Sequence, residues 1–230
     1  MNFFETIQDR TPSGGNYIKP GINERLVFNG FSVKVDKNGN GMLVRSFYPE
    51  GGDPEKGSRS QYQNFQQGVR TRKAGSGTED VSRYVEFCES LFHFTDTMIK
   101  RKDAIDIMMR TMPVATSAID DLVPSIEQLE AFCTAMNNVT VGKVVRYKFV
   151  GEEKESTKEA GKIIQVPSLR VAYTPYAEAV EEGAEKPVVA KENTKLRFNP
   201  ESKYDLVKMV PVAPDLDASD FGASNDSPGF

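Results

Sequence analysis

Alternation of apolar and polar residues near the start of the chain predicts a β-hairpin. Four apolar residues within Arg25–Asp36 have position numbers that differ by even amounts, so their side chains share one side of a strand. They are Val27, Phe31, Val33 and Val35. Residues 37–41 then contain Asn-Gly, which is typical of hairpin turns, and Met42–Tyr48 predicts the returning strand. A third, polar strand is predicted around Gln61–Gln67.

The hydrophobic period then becomes helical. Apolar residues within Val81–Met98 recur at spacings of three and four, which predicts one apolar stripe on a helix. Ser76 and Glu79 have the spacing of a capping box, so we expect the helix to begin there. Pro113 lies just beyond its expected end.

A second helix is predicted at Ser125–Met136, where Ser125 and Gln128 form another capping-box pair. Strand character returns at Val139–Val150 and at about Lys162–Tyr173, with a charged loop at Gly151–Lys158. Most of residues 174–200 are predicted to be loop, with a short strand at Lys195–Phe198. Residues 204–210 are expected to pack on the body.

This order of elements predicts a mainly β protein with a helical insertion, in the α+β class. Strands, then helices, then strands match an OB-fold, a five-stranded barrel with its helix between strands three and four. The expected divisions are an N-terminal arm at 1–20, an OB-like domain at 21–212 with its helical insertion at 76–138, and a tail at 213–230. A generic α+β domain with helices on one sheet face would give the same order.

Charge and cysteine content bear on the cellular compartment and on the class of binding partner that we expect for this protein. The net charge is −4, and once the four aspartates of residues 213–230 are set aside, the body carries 29 charges of each sign. A neutral average leaves nucleic-acid binding open, because local clustering of charge decides it. Two cysteines in helical patterns, no signal sequence and no apolar run of roughly 20 residues predict a cytoplasmic protein without a membrane span.

Evidence for catalysis or for a cofactor is weak. Asp36–Gly41 resembles the first half of a calcium loop, but Phe47 stands where the bidentate glutamate belongs. His93 is the sole histidine, and with Cys88 and Cys133 it gives no zinc-ligand spacing. We therefore expect a non-enzymatic protein with no metal and no cofactor.

Basic and aromatic residues alternate in patterns suited to single-stranded DNA, which needs cations for phosphates and flat rings for bases. Lys56–Lys73 contains five basic residues and no acidic one, and two further cations lie on the strand that follows the helices. The predicted DNA-binding residues are Arg45, Phe47, Lys56, Arg59, Tyr62, Phe65, Arg70, Arg72, Lys73, Arg146 and Lys148. For any single residue, a role in the core or on a solvated face is at least as strong an alternative.

Residues 213–230 form an acidic segment with no lysine or arginine, and they end in Pro-Gly-Phe. The apolar surface of this segment is too small to offset the entropy lost on ordering, and we therefore expect residues 213–230 to be disordered. The segment resembles the C-terminal tail of bacterial and tailed-phage single-stranded DNA-binding proteins. Pro20–Glu24 and Gly41–Arg45 resemble the opening of the tailed-phage members of that family.

That resemblance implies an OB-fold protein that coats single-stranded DNA in replication, recombination and repair. It also implies that the tail recruits a polymerase, helicase or primase. The tail residues that carry over are Asp215, Asp217, Asp220, Asp226 and Phe230. A homo-oligomer is compatible with the sequence. The alternatives are a phage structural or assembly protein, in which the tail is a docking peptide, and a strand-annealing recombination protein.

Overall fold

The computed structural model describes residues 17–65, 67–172, 176–180 and 195–209. Its described helices are α1 (Pro54–Gly57), α2 (Arg83–Thr95), α3 (Arg101–Thr111) and α4 (Ile126–Thr140). Its described strands are β1 (Gly21–Val35), β2 (Gly41–Pro49), β3 (Arg59–Asn64), β4 (Val69–Ala74), β5 (Gly77–Ser82), β6 (Val144–Phe149), β7 (Gly151–Glu155), β8 (Ile163–Pro167), β9 (Ala177–Ala179) and β10 (Leu206–Val207). The protein is therefore mainly β with a few helices, as the sequence predicts.

The described strands form three sheets and do not close into a barrel. The largest has five strands in the order β3-β2-β1-β6-β9, the second has the order β10-β7-β8, and β4 pairs with β5 alone. β1 is long enough to pair with β2 along one part and with β6 along another. The first three strands thus form an antiparallel meander whose outer edge is β3.

The predicted β1–β2 hairpin is confirmed, and its turn is held by an aspartate. The Asp36 carboxylate accepts hydrogen bonds from the backbone N–H groups of Asn38 and Asn40, both at 2.8 Å. Gly39 has φ +85°, a conformation that glycine adopts without a Cβ clash. The same contacts keep the pKa of Asp36 below its ordinary value, with the bonds from Asn40 as the main cause. The carboxylate therefore holds the turn together.

The second predicted helix is confirmed, although it runs further than expected. The Ser125 hydroxyl accepts from Gln128 N, and the Gln128 side chain accepts from Ser125 N, so both sides of the capping box form. The helix continues past the expected end to Thr140, because the side chain of Asn137 forms hydrogen bonds with the backbone of β1. Its amide donates to Phe31 O at 2.8 Å and accepts from Phe31 N at 2.7 Å, which joins α4 to β1.

The predicted start of the first helix is wrong. Residues 77–82 form β5, and Ser82 caps α2 by accepting from Val85 N. Gly75 has φ +58° in a two-residue turn, so β4 and β5 form a tight hairpin. The helical region is also split, because the chain turns at residues 96–100 before α3 begins. Within residues 17–82, as far as the structure describes them, five strands and not three precede the long helices.

The later strands also differ from the prediction. The expected charged loop at 151–158 holds β7, and the described residues 195–198 are not in a strand. Leu206 and Val207 pair in parallel with Gly151 and Glu152, so part of the segment that was expected to pack on the body joins the second sheet. The long strand predicted from residue 162 is β8, which ends at Pro167.

Aromatic rings dominate the core between the five-stranded sheet and the helices. Phe47 of β2 and Phe94 of α2 are both fully buried, with ring centroids 5.8 Å apart. Edge-to-face contacts extend this cluster through Phe28 and Phe31 to Phe132 of α4. Such rings contribute specific packing geometry in addition to buried area, so the cluster fixes how the helices sit on the sheet.

Candidate functional site

An open groove of about 830 Å³ lies beside the outer edge of β3. Its lining combines two aromatic rings, two cations and several uncharged polar groups. The side chains that matter for its chemistry are Tyr62, Gln63, Ser90, Arg170, Lys203 and Tyr204. They come from four separate stretches of the chain, so the groove is a product of the tertiary fold.

One wall is held by hydrogen bonds between β3 and the segment that follows β8. Tyr62 N donates to Leu169 O, and Gln61 Nε2 donates to Arg170 O, both at 2.8 Å. Tyr62 and Arg170 therefore form an isolated parallel bridge. This pairing places the ring of Tyr62 and the guanidinium of Arg170 on the same groove.

The segment that brings Lys203 and Tyr204 to the groove is held by a buried ion pair. Lys148 Nζ lies 2.7 Å from Asp205 Oδ1, and both side chains are largely shielded from water. Asp205 also accepts from Asn199 N through its other oxygen, and its carbonyl accepts from Gly151 N. Because Lys203 and Tyr204 directly precede Asp205, this anchor determines where their side chains reach the groove.

Positive charge and aromatic rings face this groove without acidic residues among its lining. Arg170 and Lys203 are exposed, and neither forms an ion pair with a residue that the structure describes. Lys34 Nζ lies 5.3 Å from the ring centroid of Tyr62, and Lys203 Nζ lies 5.4 Å from that of Tyr204. Each ring thus has an ammonium beside it, which is an arrangement suited to bases and phosphates.

Most of the predicted DNA-binding cations have carboxylate partners. The absence of acidic residues within Lys56–Lys73 therefore does not leave its cations uncompensated in the fold. Arg70 donates to both oxygens of Glu86, and Arg72 pairs with Glu79 and Glu89. These acids lie on β5 and α2, outside the Lys56–Lys73 segment. Neutralised arginines attract a phosphate less strongly than their number in the sequence indicates.

The two predicted cations of β6 are also neutralised. Arg146 contacts Glu24 and Glu178 at 2.8 and 2.7 Å, and Lys148 is buried against Asp205. Period two does place both on the face opposite Tyr147 and Phe149, whose rings are in the core. That outer face is covered by acidic side chains, so we reassign both residues from DNA contact to structural ion pairs.

Three further predicted cations are exposed but lie away from the groove. Lys56 is 3.7 Å from Asp53 across the short helix α1, a contact of the kind that contributes little to stability. Arg59 begins β3, and Lys73 lies near the tip of the β4–β5 hairpin. The fold does not bring them to the groove lining, so their predicted role in DNA binding has no support from this site.

The predicted ring and cation pair on β2 is in the interior. Arg45 and Phe47 do share one face of the strand, but both have 0% exposed surface. Phe65 is half-buried, with its ring centroid 4.2 Å from that of Phe87. Arg45 and Phe47 are therefore corrected from DNA-contacting to buried residues, and Tyr62 is the predicted ring that lines the groove.

Sequence reasoning missed the groove residues Arg170, Lys203 and Tyr204, and also Lys34, whose ammonium lies beside the ring of Tyr62. The Lys203-Tyr204 dipeptide carried a local signal, a cation next to a ring, in a segment expected only to pack on the body. Arg170 and Lys34 carried no such signal, because their neighbours in the groove are distant in the sequence. The tail residues predicted to bind partners, Asp215, Asp217, Asp220, Asp226 and Phe230, lie outside the described residues.

The metal-ligating and thiol side chains of the described residues can be located individually. No three histidine, cysteine or acidic side chains among those residues come together as a metal site. Burial raises the pKa of the Cys88 thiol to about 11 and that of Cys133 to about 12. Both thiols are therefore protonated near neutral pH, and a protonated thiol is a poor nucleophile.

Comparisons with protein-family models, curated proteins and solved structures found no match to this chain. Among the described residues, no helix combines the length and apolar character needed to cross a bilayer.

Proposed function

We propose that the protein binds single-stranded DNA, without sequence preference and without catalysing a reaction, in the groove beside β3. The observation that carries this proposal is the pairing of the half-exposed Tyr62 and the exposed Tyr204 with cations, in a groove whose lining contains no carboxylate. Tyr62 and Tyr204 would stack on bases, and Arg170 and Lys203 would contact phosphates. Stacking on flat rings is tolerant of sequence because every base has a π-face.

We further propose that the strands follow an OB-like path, with β1, β2 and β3 as its first three strands. In this view β6 and β7 together are the fourth strand, and β8 with residues 168–172 is the fifth. The parallel bridge between Tyr62 and Arg170 supports this arrangement, because it joins the third strand to the proposed fifth. OB-folds bind oligonucleotides on the face of strands two and three, where Tyr62 lies.

The proposed place of this activity is DNA replication, recombination and repair. A titration of the protein with fluorescent oligo-dT at two salt concentrations, beside a duplex of equal length, tests it directly. We expect tighter binding to the single strand and weakening as salt rises, because phosphate contacts release counterions. Equal affinity for duplex, or no binding at low salt, would reject the proposal and favour the assembly-protein alternative.

Groove variants test the location of this binding. Tyr204→Leu and Tyr62→Leu should each weaken single-strand binding by about 5- to 150-fold, since stacking contributes about 1–3 kcal/mol per base. Arg170→Ala and Lys203→Ala should each reduce the salt slope by about 0.7. The matched controls are Lys102→Ala on α3 and Tyr48→Leu on β2, which do not line the groove. If controls and groove variants lose affinity equally, the site lies elsewhere.

We propose, from the sequence alone, that residues 213–230 compete with DNA for the cationic groove and recruit replication proteins through Phe230. Replacing the four aspartates of this segment by asparagine should raise DNA affinity, most clearly at low salt where charge competition is least screened. Phe230→Ala should leave DNA affinity unchanged because it removes no charge. Equal DNA affinity for the wild type and the asparagine variant would show that the segment does not reach the groove.

A further inference from the structure

Arg45 is a buried cation at the centre of the molecule. Its side chain has 0% exposed surface and lies between the rings of Phe94 and Tyr176, with its guanidinium carbon 5.0 and 5.4 Å from their centroids. One terminal nitrogen donates to the Tyr176 hydroxyl at 2.9 Å, and the other donates to Gln63 Oε1 at 2.5 Å. Its Nε atom has no hydrogen-bond partner among the residues that the structure describes. The guanidinium is therefore only partly satisfied.

The partners of Arg45 carry no negative charge. Among the described residues it forms no ion pair, and its hydrogen-bond partners are a phenol and an amide. The amide is uncharged, a phenol ordinarily titrates near pH 10, and burial raises the pKa of the neighbouring Tyr147 still further. A buried, unneutralised guanidinium is unfavourable because its water shell has been lost without a compensating anion.

This charge lies directly behind the groove. Gln63, which accepts from Arg45, lines the groove, and its amide nitrogen has no hydrogen bond to a described residue. Ser90 also lines the groove and is bonded to Tyr176, the second partner of Arg45. The field of a buried charge is weakly screened, so it reaches the groove through these two polar side chains.

We propose that the groove contains a discrete phosphate subsite at Gln63 and Ser90, which Arg45 supports from beneath as a positioning residue. Gln63 would donate from its free amide nitrogen while its oxygen stays bonded to the guanidinium. The ligand is a phosphate group, either in a nucleic-acid backbone or as a free ion. The choice of a DNA backbone rests on the proposed function, whereas the affinity for phosphate itself does not.

The decisive variant is Gln63→Glu, which supplies the missing counter-charge in nearly the same volume. The new carboxylate would lie where Gln63 Oε1 now accepts from Arg45, so we expect a higher thermal midpoint than in the wild type. The same change neutralises the subsite, so single-strand affinity should fall about tenfold or more and the salt slope by about 0.7. A gain in stability with a loss of binding cannot arise from damage to the fold.

The matched control is Asn64→Asp, which adds the same charge to the neighbouring groove residue on the opposite face of β3. It should lower affinity less than Gln63→Glu and should not raise the thermal midpoint. If the two variants bind equally, the Arg45 charge is not felt in the groove and the proposal is wrong. A destabilised Gln63→Glu protein would also overturn it, because Arg45 would then already be neutralised.

Inorganic phosphate tests the subsite in the absence of DNA. At low millimolar concentration and constant ionic strength, replacing chloride by phosphate should raise the thermal midpoint of the wild type and of Asn64→Asp, but not of Gln63→Glu. No such difference would overturn the subsite, even if oligo-dT binds and the proposed function stands. A phosphate response without oligo-dT binding would retain the subsite and reject the DNA-binding function.

Discussion

Phe47→Ala is expected to lower the free energy of unfolding by about 3–5 kcal/mol, while the folded protein keeps its affinity for single-stranded DNA. The ring is fully buried and contacts Phe28, Tyr147 and Phe149 as well as Phe94. Its removal leaves a cavity between sheet and helices that the surrounding rings cannot fill. Urea denaturation measures the loss of stability, and an oligo-dT titration corrected for the folded fraction measures binding.

The matched control for this prediction is Tyr62→Leu, since Tyr62 is half-exposed on the groove. There we expect the reverse result, a small change in stability and a large loss of affinity. If Phe47→Ala instead reduced affinity per folded molecule as strongly as Tyr62→Leu, the core would have to open when DNA binds. Phe47 would then have to contact bases directly.

Lys148→Met should also have a large effect, because it leaves the buried carboxylate of Asp205 without its partner. Breaking a buried ion pair by removing one member typically costs about 3–5 kcal/mol. Since Asp205 anchors the segment that carries Lys203 and Tyr204, we expect single-strand affinity to fall as well. Thermal unfolding and the oligo-dT titration measure the two effects on the same preparation.

The control for Lys148→Met is Lys154→Met on β7, which removes an exposed cation 3.6 Å from Glu152. Exposed pairs of this kind contribute about 0–1 kcal/mol, so its stability should be nearly unchanged. Similar losses in the two variants would mean that the Lys148–Asp205 pair is effectively hydrated. The groove wall would then depend on the β7–β10 pairing alone.

The parts of the fold that sequence predicted well depend on local chemistry. The β1–β2 turn requires an aspartate and a glycine within five residues, and the α4 cap requires a serine and a glutamine three residues apart. The misplaced start of α2 was a conflict between two local signals. Ser76 and Glu79 have capping-box spacing, but Gly75-Ser76 also suits a two-residue hairpin turn. Residues 77–82 pair with β4, so the hairpin forms instead of the helix start.

The candidate site was less accessible to sequence reasoning, because ion pairing is not a local property. The arginines of Lys56–Lys73 looked uncompensated, but Arg70 is neutralised by Glu86, sixteen residues away. Arg146 and Lys148 are neutralised from distances of 32 and 57 residues. Burial is not a local property either. The two-residue period of the strand predicts that Arg45 and Phe47 share a face, but it does not show which face the helices cover.

The amino-acid sequence by itself determined the class of this protein, the first hairpin, the capped helix α4 and the mixture of rings and cations, because periodicity and turn chemistry act over a few residues. The tertiary structure alone decided which cations stay unpaired and which rings reach solvent. It brought Tyr62, Arg170 and Tyr204 to one groove and placed Arg45 beneath it, because each of these positions depends on contacts between segments that are distant along the chain.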